Sequence, residues 1–580
     1  MIDRPNVLAV CCTGHGAGLA FASARHGVRA MTLERFTGQR NALLLSRREL
    51  AAARSGHDPL GIWGLFGLCY GQFPPAFAYE DVIEPWTEAL LDGLPVGPAQ
   101  IDLLVGPADQ FALDAALQAR QAEWFPNARL RLFAEHHEAH RFQAFLPSPF
   151  RDAAVLTVDA CGEALGRLDG AKLAMTLSHA EDPGRFEVFA EHQFPSSSPG
   201  WFYGRMTLEL GFFVNEEGKT MGLAPYGRDR YARFLRTQLE LHEDGSFGFA
   251  RGFDLDAWLE TLGGPRQRDQ PIDAHHEDLA YAAQAVLEDI IDNAVAALAQ
   301  RSPSENLCIA GGVGLNSVAN QKSFARARFR RIYICPNAGD TGHALGCALA
   351  AAGFDANAQL SRRLCPAGLR DDYLGPPYPE ARLAAAISEA GLTAERCDDR
   401  QQRARTAARW IADGNIVAVF HGRSEHGPRA LGHRSILADP RDPGMADHLN
   451  RKVKHREPFR PFAPAVLAEA APHWFTGDSH DPFMLRVVEV LDHQRARVPA
   501  ITHVDGSARV QAVHREDSPE LYALIEAFAE LTRVPLVLNT SFNVAGQPIV
   551  ETPEDAVACF LATEIDALVL GPYLVPQSSD

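Results

Sequence analysis

The sequence predicts an α/β protein built from two domains. Strand-like apolar runs alternate with helical patterns over residues 306–352, and glycine turns follow the strands. This alternation indicates an α/β sheet whose strand ends collect ligands. The length of 580 residues corresponds to two to four domains at about 100–200 residues each. A polar, Pro- and Gly-rich stretch around residues 355–380 interrupts the pattern, so we place the domain boundary there, between residues 1–360 and residues 375–580.

In the first domain, a strand at Asn6–Cys12 ends in a glycine turn, and a second strand is predicted at Ile101–Val105. A helix is predicted over Leu130–Phe145. Three strand-like runs then indicate an antiparallel meander: Ala153–Asp159, Lys172–Ser178 and Phe186–Phe194. A long amphipathic helix and the alternating strands and helix follow, at Leu279–Arg301, Leu307–Ala310, Arg331–Cys335 and Gly342–Ala352.

The second domain shows the same alternation of helices and strands. A helix near residues 400–413 precedes a strand at Ile416–His421. Strands at Val534–Asn539 and Ala567–Gly571 flank a helix at Glu554–Thr563. We find no internal sequence repeat and no low-complexity tract.

Composition excludes several classes of protein. A hydrophobic fraction of 46% and a charged fraction of 22% are those of an ordinary globular protein and exclude extensive disorder. The net charge of −18 argues against a nucleic-acid partner. Ten scattered cysteines without a C-x-x-C pair predict a reducing, cytoplasmic location. Only Val7–Ala24 is long and nearly uncharged, and its glycine turn favours two strands over a signal peptide or membrane span.

Lysine is scarce in this chain. Of the 55 basic residues only five are lysine: Lys172, Lys219, Lys322, Lys452 and Lys454. Mutational bias towards arginine codons explains the scarcity, and each remaining lysine then becomes a candidate for a position that needs an ammonium group. A compact ammonium does not replace a planar guanidinium at a phosphate or carboxylate.

Three histidines lie together in the run His136-His137-Glu138-Ala139-His140. On the predicted helix, His136 and His140 are four residues apart and share one face, where two imidazoles can bind one metal ion. The run is not the H-E-x-x-H motif of metalloproteases, because Arg141 stands where that motif requires a histidine. Histidines at this spacing also occur by chance on helix surfaces, so the spacing leaves both interpretations open.

Two turns that follow predicted strands carry further candidate residues. Asp340 lies in the turn Pro336–His343, and a carboxylate at a strand end before a helix suits a metal or phosphate site. Asp340 or Thr341 also suits an ordinary helix N-cap. The turn Ala310–Asn316 is rich in glycine, which lets the backbone approach a phosphate or a nucleotide sugar. Glycine turns end strands in many folds, so this signal is weak alone.

The second domain concentrates positive charge. Seven arginines and lysines lie in the two stretches Gly427–Ser435 and Arg451–Phe462. This pattern suits a phosphate-rich small ligand because arginine offers a bidentate fork and lysine a point charge. A solvated basic face is the alternative, but the interleaved Pro458, Phe459, Pro461 and Phe462 argue against it. Single-stranded RNA also fits basic and aromatic residues together, so the run does not decide the ligand.

A fifth motif, Asn539-Thr540-Ser541-Phe542-Asn543, follows the apolar strand Val534–Leu538. Short hydrogen-bonding side chains at a strand end suit polar, uncharged ligand atoms. The same residues also form capped turns.

Taken together and in order, these motifs resemble the O-carbamoyltransferases of the NodU/CmcH group, which modify antibiotics and signalling sugars. The resemblance covers nearly the full chain. Besides the motifs above, it includes His15 in the N-terminal turn and two further stretches, Val158–Glu163 and Glu217–Gly227. The chain departs from the family pattern beside His15, where Gly16 and Gly18 replace the usual Asp and Ser.

The resemblance implies an α/β protein with an N-terminal ASKHA-like domain (actin/Hsp70-type, similar to the tRNA threonylcarbamoyl transferase) and a C-terminal YrdC-like domain. It also implies two reaction steps. The C-terminal domain would convert carbamoyl phosphate and ATP, with Mg²⁺, into carbamoyl adenylate. The N-terminal domain would then transfer the carbamoyl group to a hydroxyl of a small natural-product acceptor. Neither the acceptor nor the oligomeric state is readable from the sequence.

Site residues are carried over from the family motifs position by position. His136, His140 and Asp340 correspond to ligands of a metal, iron(II) or a similar divalent ion. His15, Lys454 and Arg429 are expected to take part in catalysis, His15 by contacting the acceptor hydroxyl. The expected nucleotide and carbamoyl phosphate residues are Arg429, Arg434, Ser435, Lys454, Arg456, Arg460, Asn539, Ser541, Asn543, Gly311, Gly312, Asn316, Glu217 and Lys219.

Three other functions compete with this interpretation. A tRNA threonylcarbamoyl transferase would share both fold types, but it should carry a more basic surface than a chain of net charge −18. The hydrogenase-maturation carbamoyltransferase adds zinc fingers, which need C-x-x-C pairs that this chain lacks. A non-catalytic nucleotide-binding regulator would not need the complete set of His136, His140, Asp340, Arg429 and Lys454.

Overall fold

The structure is a computed structural model that describes residues 5–13, 16–45, 47, 50, 75–107, 121–133, 135–162, 172–182, 184–354 and 370–577. The chain forms two compact units. Unit 1 comprises Met1–Leu33 and Asn41–Leu369, and unit 2 comprises Glu34–Arg40 and Arg370–Asp580. The stretch 355–369, which contains much of the predicted boundary, lies outside the described residues.

The first sheet of unit 1 has five strands in the order β3-β2-β1-β6-β7. Its first three strands are antiparallel neighbours, whereas β6 and β7 continue the sheet in parallel with β1. Their bounds are β1 Val7–Thr13, β2 Gly16–Ser23, β3 Gly27–Thr32, β6 Leu103–Pro107 and β7 Arg129–Phe133. Between them, the short strands β4 Leu43–Leu45 and β5 Ala76–Ala78 form a separate parallel pair.

The second sheet of unit 1 repeats this layout. Its order is β10-β9-β8-β13-β14, again three antiparallel strands followed by two parallel ones. The bounds are β8 Asp152–Val158, β9 Leu173–Glu181, β10 Arg185–Gln193, β13 Asn306–Ala310 and β14 Arg331–Ile334. The short strands β11 Leu239–Leu241 and β12 Phe247–Phe249 form a separate hairpin. Two sheets of this one topology define the ASKHA-like fold, so the predicted fold class and the antiparallel meander are confirmed.

The helices of unit 1 pack on these sheets. The longest, Ala274–Arg301, is capped by the Asp273 carboxylate, which accepts hydrogen bonds from the His275 and His276 amides. The others are Tyr79–Leu91, His136–Phe145, Pro199–Glu209, Glu217–Leu223, Ala232–Gln238, Leu255–Thr261, Ser317–Arg326 and His343–Phe354.

One predicted element is wrong in its first part. The sequence predicts a continuous helix over Leu130–Phe145, whereas Arg129–Phe133 is strand β7 and the helix begins at His136. The residues of β7 pair in parallel with β6, so a sheet partner distant in sequence overrides the local helical pattern.

Unit 2 contains one mixed sheet of eight strands in the order β15-β24-β23-β16-β17-β22-β18-β21. The bounds are β15 Glu395–Arg396, β16 Val417–Phe420, β17 Arg434–Ala438, β18 Ala463–Leu467, β21 Gln511–Val513, β22 Leu536–Ser541, β23 Ala567–Leu570 and β24 Tyr573–Pro576. The pair β19 Val488–Glu489 and β20 Ser507–Ala508 lies apart from it. Helices cover this sheet, which agrees with the α/β architecture expected of a YrdC-like domain.

The helices of unit 2 close one apolar core with the sheet. Phe420, Phe475, Phe528 and Phe560 are all buried in that core. The helices are Glu380–Glu389, Arg400–Ala412, Met445–Leu449, Asp492–Arg495, Pro519–Thr532 and Pro553–Leu561. The short helix Leu33–Thr37 connects the N-terminal sheet to the segment of unit 2 that precedes Asn41.

Within the part of the chain that the structure describes, no helix has the length and apolar character needed to cross a membrane.

We expect Leu568→Ala to lower the free energy of unfolding of unit 2 by about 2–5 kcal/mol, because a buried leucine leaves a cavity when it is truncated. Leu568 is fully buried in β23, whereas Leu561, at the end of a helix, is 55% exposed. Leu561→Ala is the matched control and should change stability by no more than about 0.5 kcal/mol. Urea unfolding followed by circular dichroism measures both, and equal losses would contradict the assigned core.

Candidate functional site

The carboxyl ends of neighbouring parallel strands bring the first group of candidate residues together. Asp159 directly follows β8, the glycine turn follows β13, and Asp340 lies in the turn after β14. The helix His136–Phe145 precedes β8 and carries His136 and His140 on one buried face. Ligand sites of α/β sheets form at this edge.

These side chains meet at hydrogen-bonding distances. The Nε2 atom of His136 lies 3.2 Å from Asp159 Oδ2 and 3.5 Å from Asp340 Oδ1. The Nε2 atom of His140 lies 3.4 Å from each of the same two oxygens. The structure thus brings together His136, His140 and Asp340. It also adds Asp159, which lies in the sequence stretch Val158–Glu163 and had no role assigned from the sequence.

His343 completes this group, and sequence analysis did not identify it. Ligand atoms of His136, His140, Asp340 and His343 all lie within 4.8 Å of one another, and all four residues are buried. The single turn Asp340–Gly342 ends at His343, three residues beyond Asp340, so both side chains face the same space. The D-x-x-H spacing of Asp340 and His343 is the sequence signal that could have identified His343. We call Asp159 and these four residues the histidine–aspartate centre.

The tautomer of His140 follows from Gln143. The Gln143 amide nitrogen donates to the carbonyl oxygens of Asn337 and Gly339, the latter at 2.9 Å. This fixes the amide, so Gln143 Oε1 must accept the hydrogen bond that joins it to His140 Nδ1 at 2.8 Å. His140 Nδ1 therefore carries the proton, and in the neutral ring the lone pair of Nε2 faces two carboxylate oxygens.

The electrostatics of these residues favour a positive charge at that point. Burial tends to lower the pKa of His140, but hydrogen bonds to Asp159 and Asp340 outweigh it and raise the pKa above its usual value. Burial raises the pKa of Asp159, but His136 and His140 reverse this and hold it well below its usual range. A cation at the centre, a proton or a metal, satisfies the carboxylates. Imidazole nitrogens with a carboxylate oxygen fit a divalent transition metal.

The glycine turn lies beside this centre. Gly311 has a positive φ of 100°, and a Cβ there would overlap the Val158 carbonyl oxygen, so only glycine fits. The amide of Gly312 donates to Asp159 Oδ1 at 3.2 Å. The turn is therefore fixed against the aspartate that faces both histidines.

The remaining nucleotide candidates of unit 1 lie in polar networks. The Asn316 side chain exchanges two hydrogen bonds with Gln284, at 3.0 and 3.1 Å, and also caps the helix Ser317–Arg326. Lys219 forms an ion pair with Glu216 at 2.7 Å, and Glu217 accepts from the Asn215 amide at 3.2 Å. His15, the candidate for the acceptor hydroxyl, lies outside the described residues.

A second group of candidates lies in unit 2, at the edge where β17 begins and β22 ends. These antiparallel strands pair Ser435 with Ser541, so the loop before β17 and the loop after β22 are adjacent. The Lys454 ammonium donates to Ser541 Oγ at 3.2 Å and to Asn543 O and Oδ1 at 3.0 and 2.8 Å. Lys454 is thereby held in place from one side by the Asn539–Asn543 motif.

Arginines surround Lys454. Arg429, Arg456 and Arg460 all lower the pKa of the Arg509 guanidinium, after burial, so the four guanidinium groups are close neighbours. Arg509 was not identified from the sequence, because it stands alone between motifs. One guanidinium nitrogen of each of Arg429, Arg456 and Arg509 is buried without a hydrogen-bond partner among the described residues. We call Lys454 and these four arginines the cationic centre.

The like charges of the cationic centre disfavour one another. Burial and then Arg460 lower the pKa of Arg429 to about 10, and the same two influences lower that of Arg456 to about 9. Burial and then Arg456 lower the pKa of Lys454 well below its usual value. A bound phosphate anion would relieve this repulsion and satisfy the unpartnered N–H groups.

Three other candidates, Arg434, Ser435 and Asn539, stabilise the loop that carries Arg429 and do not line the cationic centre. Arg434 is completely buried, stacks on Phe420 with 3.5 Å to the ring centre, and donates to the His421 carbonyl at 2.7 Å. Ser435 Oγ accepts from the Gly432 amide at 2.9 Å. The Asn539 amide donates to the Ala430 carbonyl at 3.2 Å. These contacts fix the backbone on both sides of Arg429.

Comparison with known sequences identifies the family. Residues 121–349 match the family model described as "Carbamoyltransferase N-terminus", and residues 408–577 match "Carbamoyltransferase C-terminus". Nodulation protein NolO of Bradyrhizobium diazoefficiens is 37% identical over 447 residues, covering 76% of this chain and 78% of NolO. Nodulation protein NolNO of Sinorhizobium fredii is 35% identical over 512 residues, covering 85% of this chain and 70% of NolNO. The chain belongs to the NodU/NolO-type carbamoyltransferase family and is a carbamoyltransferase enzyme.

Among solved structures, the one described as "Crystal structure of T.kodakarensis HypF" matches with a TM-score of 0.31 and 12% identity. The match covers 63% of this chain and 50% of HypF.

We expect Gln143→Leu to weaken metal binding by about 10–100-fold, because the residue that orients a metal-binding histidine contributes to affinity on this scale. The measurement is a competition titration with Co²⁺ and a chromophoric chelator. His179→Asn is the control: His179 is also buried in unit 1, and its Nδ1 contacts Ser302 Oγ at 3.0 Å, away from the histidine–aspartate centre. Unchanged affinity in Gln143→Leu would contradict the assigned tautomer.

We expect sulfate, an anion whose own charge does not titrate, to bind more weakly as the pH rises from about 6 to about 9. An ammonium with a lowered pKa loses its proton at a lower pH, and anion binding requires the charged form, so binding should be accompanied by proton uptake. Calorimetry in two buffers of different protonation enthalpy measures both effects.

Lys454→Arg is the control for this pH dependence, because the ordinary pKa of a guanidinium lies at least about 2 units above that of an ammonium. Its sulfate affinity should depend less on pH than that of the unsubstituted protein. Identical pH profiles would show that Lys454 is not the titrating group.

Proposed function

We propose that this carbamoyltransferase uses ATP and carbamoyl phosphate and transfers a carbamoyl group to a hydroxyl of a small natural-product acceptor. The cationic centre of unit 2 forms carbamoyl adenylate, and the histidine–aspartate centre of unit 1 is where the group is transferred. The single observation that carries the proposal is the cationic centre, in which one guanidinium nitrogen of each of Arg429, Arg456 and Arg509 is buried without a hydrogen-bond partner among the described residues. Such a group of donors suits two phosphorylated substrates.

The first half-reaction needs concentrated positive charge. Water releases phosphate from carbamoyl phosphate to leave carbamate, and a carbamate oxygen then attacks the α-phosphorus of ATP, with displacement of pyrophosphate. Arg429, Arg456 and Arg509 would bind the phosphate oxygens and stabilise the charge that develops on them. Lys454, fixed by Ser541 and Asn543, adds a point charge at a defined position. Mg²⁺ accompanies ATP as part of the substrate.

The second half-reaction transfers the group. The acceptor oxygen attacks the carbamoyl carbon, the bond to the AMP oxygen breaks, and AMP leaves with its electron pair. We propose that His15 receives or orients the hydroxyl proton. The Gly311–Asn316 turn would bind the nucleotide, because its glycines allow close backbone approach to phosphate or ribose, and Glu217 and Lys219 would contribute from their helix.

His136, His140 and Asp340 would hold a divalent metal such as iron(II), with the Nε2 lone pair of His140 directed by Gln143. When bound, such a metal supplies a Lewis acid that polarises phosphate or carbonyl oxygens. Asp159 Oδ1 accepts from the Gly312 amide and would keep the nucleotide turn in register with the two histidines.

A cytoplasmic location is also part of the proposal. Cys347, Cys397 and Cys559 are free thiols that are buried in the part of the chain that the structure describes. Free buried thiols are typical of a reducing compartment.

The test measures the two half-reactions separately in the full-length, metal-loaded enzyme. Pyrophosphate release from ATP should require carbamoyl phosphate, and AMP release should increase further when an accepted hydroxyl compound is supplied from an acceptor panel. Lys454→Ala should abolish pyrophosphate release because it removes the fixed point charge. His140→Ala should retain pyrophosphate release and lose carbamoylation of the acceptor.

Arg515→Ala is the control for Lys454→Ala, because Arg515 is an exposed unit 2 cation paired with Glu526. Pyrophosphate release that is independent of carbamoyl phosphate would reject the proposed reaction. Equal loss of both half-reactions in His140→Ala would reject the division between the two centres.

A further inference from the structure

Unit 2 contains a segment from the far N-terminal part of the chain. Glu34–Arg40 belongs to unit 2, although the rest of that unit begins at Arg370. Within this segment Arg35 is buried, with 5% of its surface exposed. A buried guanidinium is costly unless its donors are satisfied, so the contacts of Arg35 indicate what holds the segment in place.

The Arg35 guanidinium donates to four backbone carbonyl oxygens. Its Nη1 lies 3.2 Å from the oxygens of Ile549 and Val550. Its Nη2 lies 3.3 Å from the Glu425 oxygen and 3.5 Å from the Gly427 oxygen. Arg35 therefore joins two stretches of unit 2, one of which leads directly into the loop that carries Arg429.

The peptide groups of Gly427 are held from both sides. Its carbonyl accepts from Arg35, and its amide donates to Asp372 Oδ2 at 2.6 Å. Pro428 follows, with a fixed φ angle, and then Arg429. The position of the Arg429 backbone is thus set by two side chains, those of Arg35 and Asp372, that lie outside its own loop.

The other end of the same loop is held by Glu425. One oxygen, Oε1, accepts from the amides of Leu431, His433 and Arg434 at 2.8, 2.9 and 3.2 Å. With Arg35 on the Glu425 backbone, both ends of the Arg429 loop depend on one small buried network. Anion binding gains affinity when its donors are held in place before the ligand arrives.

We propose that Arg35 is a positioning residue for the cationic centre: it holds the Gly427 backbone so that Arg429 is aimed at the carbamoyl phosphate anion. The inference rests on the proposed function, because it assigns carbamoyl phosphate to that centre. Arg35 itself donates to backbone carbonyls and acts on the anion through Arg429. A purely structural role would instead lower stability without a selective effect on one substrate.

The test uses the full-length enzyme with Arg35→Ala. The KM for carbamoyl phosphate in pyrophosphate release should rise by about 10–100-fold, because small misplacements of a binding group have effects of this size. The maximal rate and the KM for the acceptor should change much less. Sulfate affinity, measured by calorimetry, should fall in parallel, and added guanidinium ion should restore part of both losses.

Arg29→Ala is the matched control. Arg29 is also a buried arginine that donates to backbone carbonyls, with 2.9 Å to the Leu90 oxygen, but it lies in unit 1. It should leave the KM for carbamoyl phosphate and the sulfate affinity unchanged, and guanidinium ion should not affect it. If Arg35→Ala does not fold, Arg35→Lys takes its place, with a smaller rise in KM expected.

Two outcomes would overturn the inference, and they are distinguishable. If the unsubstituted enzyme releases pyrophosphate independently of carbamoyl phosphate, the proposed function fails and the inference fails with it. If the unsubstituted enzyme depends on carbamoyl phosphate but Arg35→Ala or Arg35→Lys keeps its KM and sulfate affinity, the proposed function stands and Arg35 is only a structural residue.

Discussion

Repulsion between like charges is the constraint on which unit 2 depends. Burial and neighbouring arginines lower the pKa values of Lys454 and Arg509: Arg456 and Arg460 act on Lys454, and Arg429, Arg456 and Arg460 act on Arg509. Neutral groups hold these side chains in place. Ser541 and Asn543 accept hydrogen bonds from Lys454, and a network of backbone hydrogen bonds fixes the loop that carries Arg429. Among the described residues, no carboxylate forms an ion pair with Lys454. Exposed arginines such as Arg515 and Arg370, in contrast, pair with glutamates. This concentration of positive charge would favour anions as ligands of the centre.

In unit 1 the charges that lie close together are negative. Asp159 and Asp340 approach the same two histidine nitrogens, and Gln143 prevents His140 from turning its protonated nitrogen towards them. The carboxylates therefore require a cation, and three imidazoles in reach favour a transition metal over Mg²⁺ or Ca²⁺. Each centre favours a ligand of opposite charge, which agrees with the proposed separation of activation from transfer.

Much of the fold and of the two centres was predictable from the sequence. The i, i+4 spacing placed His136 and His140 on one face, and the strand–turn–helix pattern placed Asp340 at a strand end. His343 and Arg509 were missed because each lies outside a motif and reaches its centre only through tertiary folding. The start of the helix at His136, instead of Leu130, depends on pairing between β7 and β6. The repeated sheet topology of unit 1 left no repeat in the sequence, because backbone order is preserved with different side chains.

The path of the chain has a consequence for how the protein is made. Arg35 leaves the ribosome early, yet two of its partners, Ile549 and Val550, are 514 and 515 residues further along. Contacts of such separation form slowly because a very long loop must close first. The segment Glu34–Arg40 is therefore synthesised long before the part of unit 2 that contains Ile549 and Val550. Nascent chains that stop before residue 549 leave this arginine without two of its four carbonyl partners.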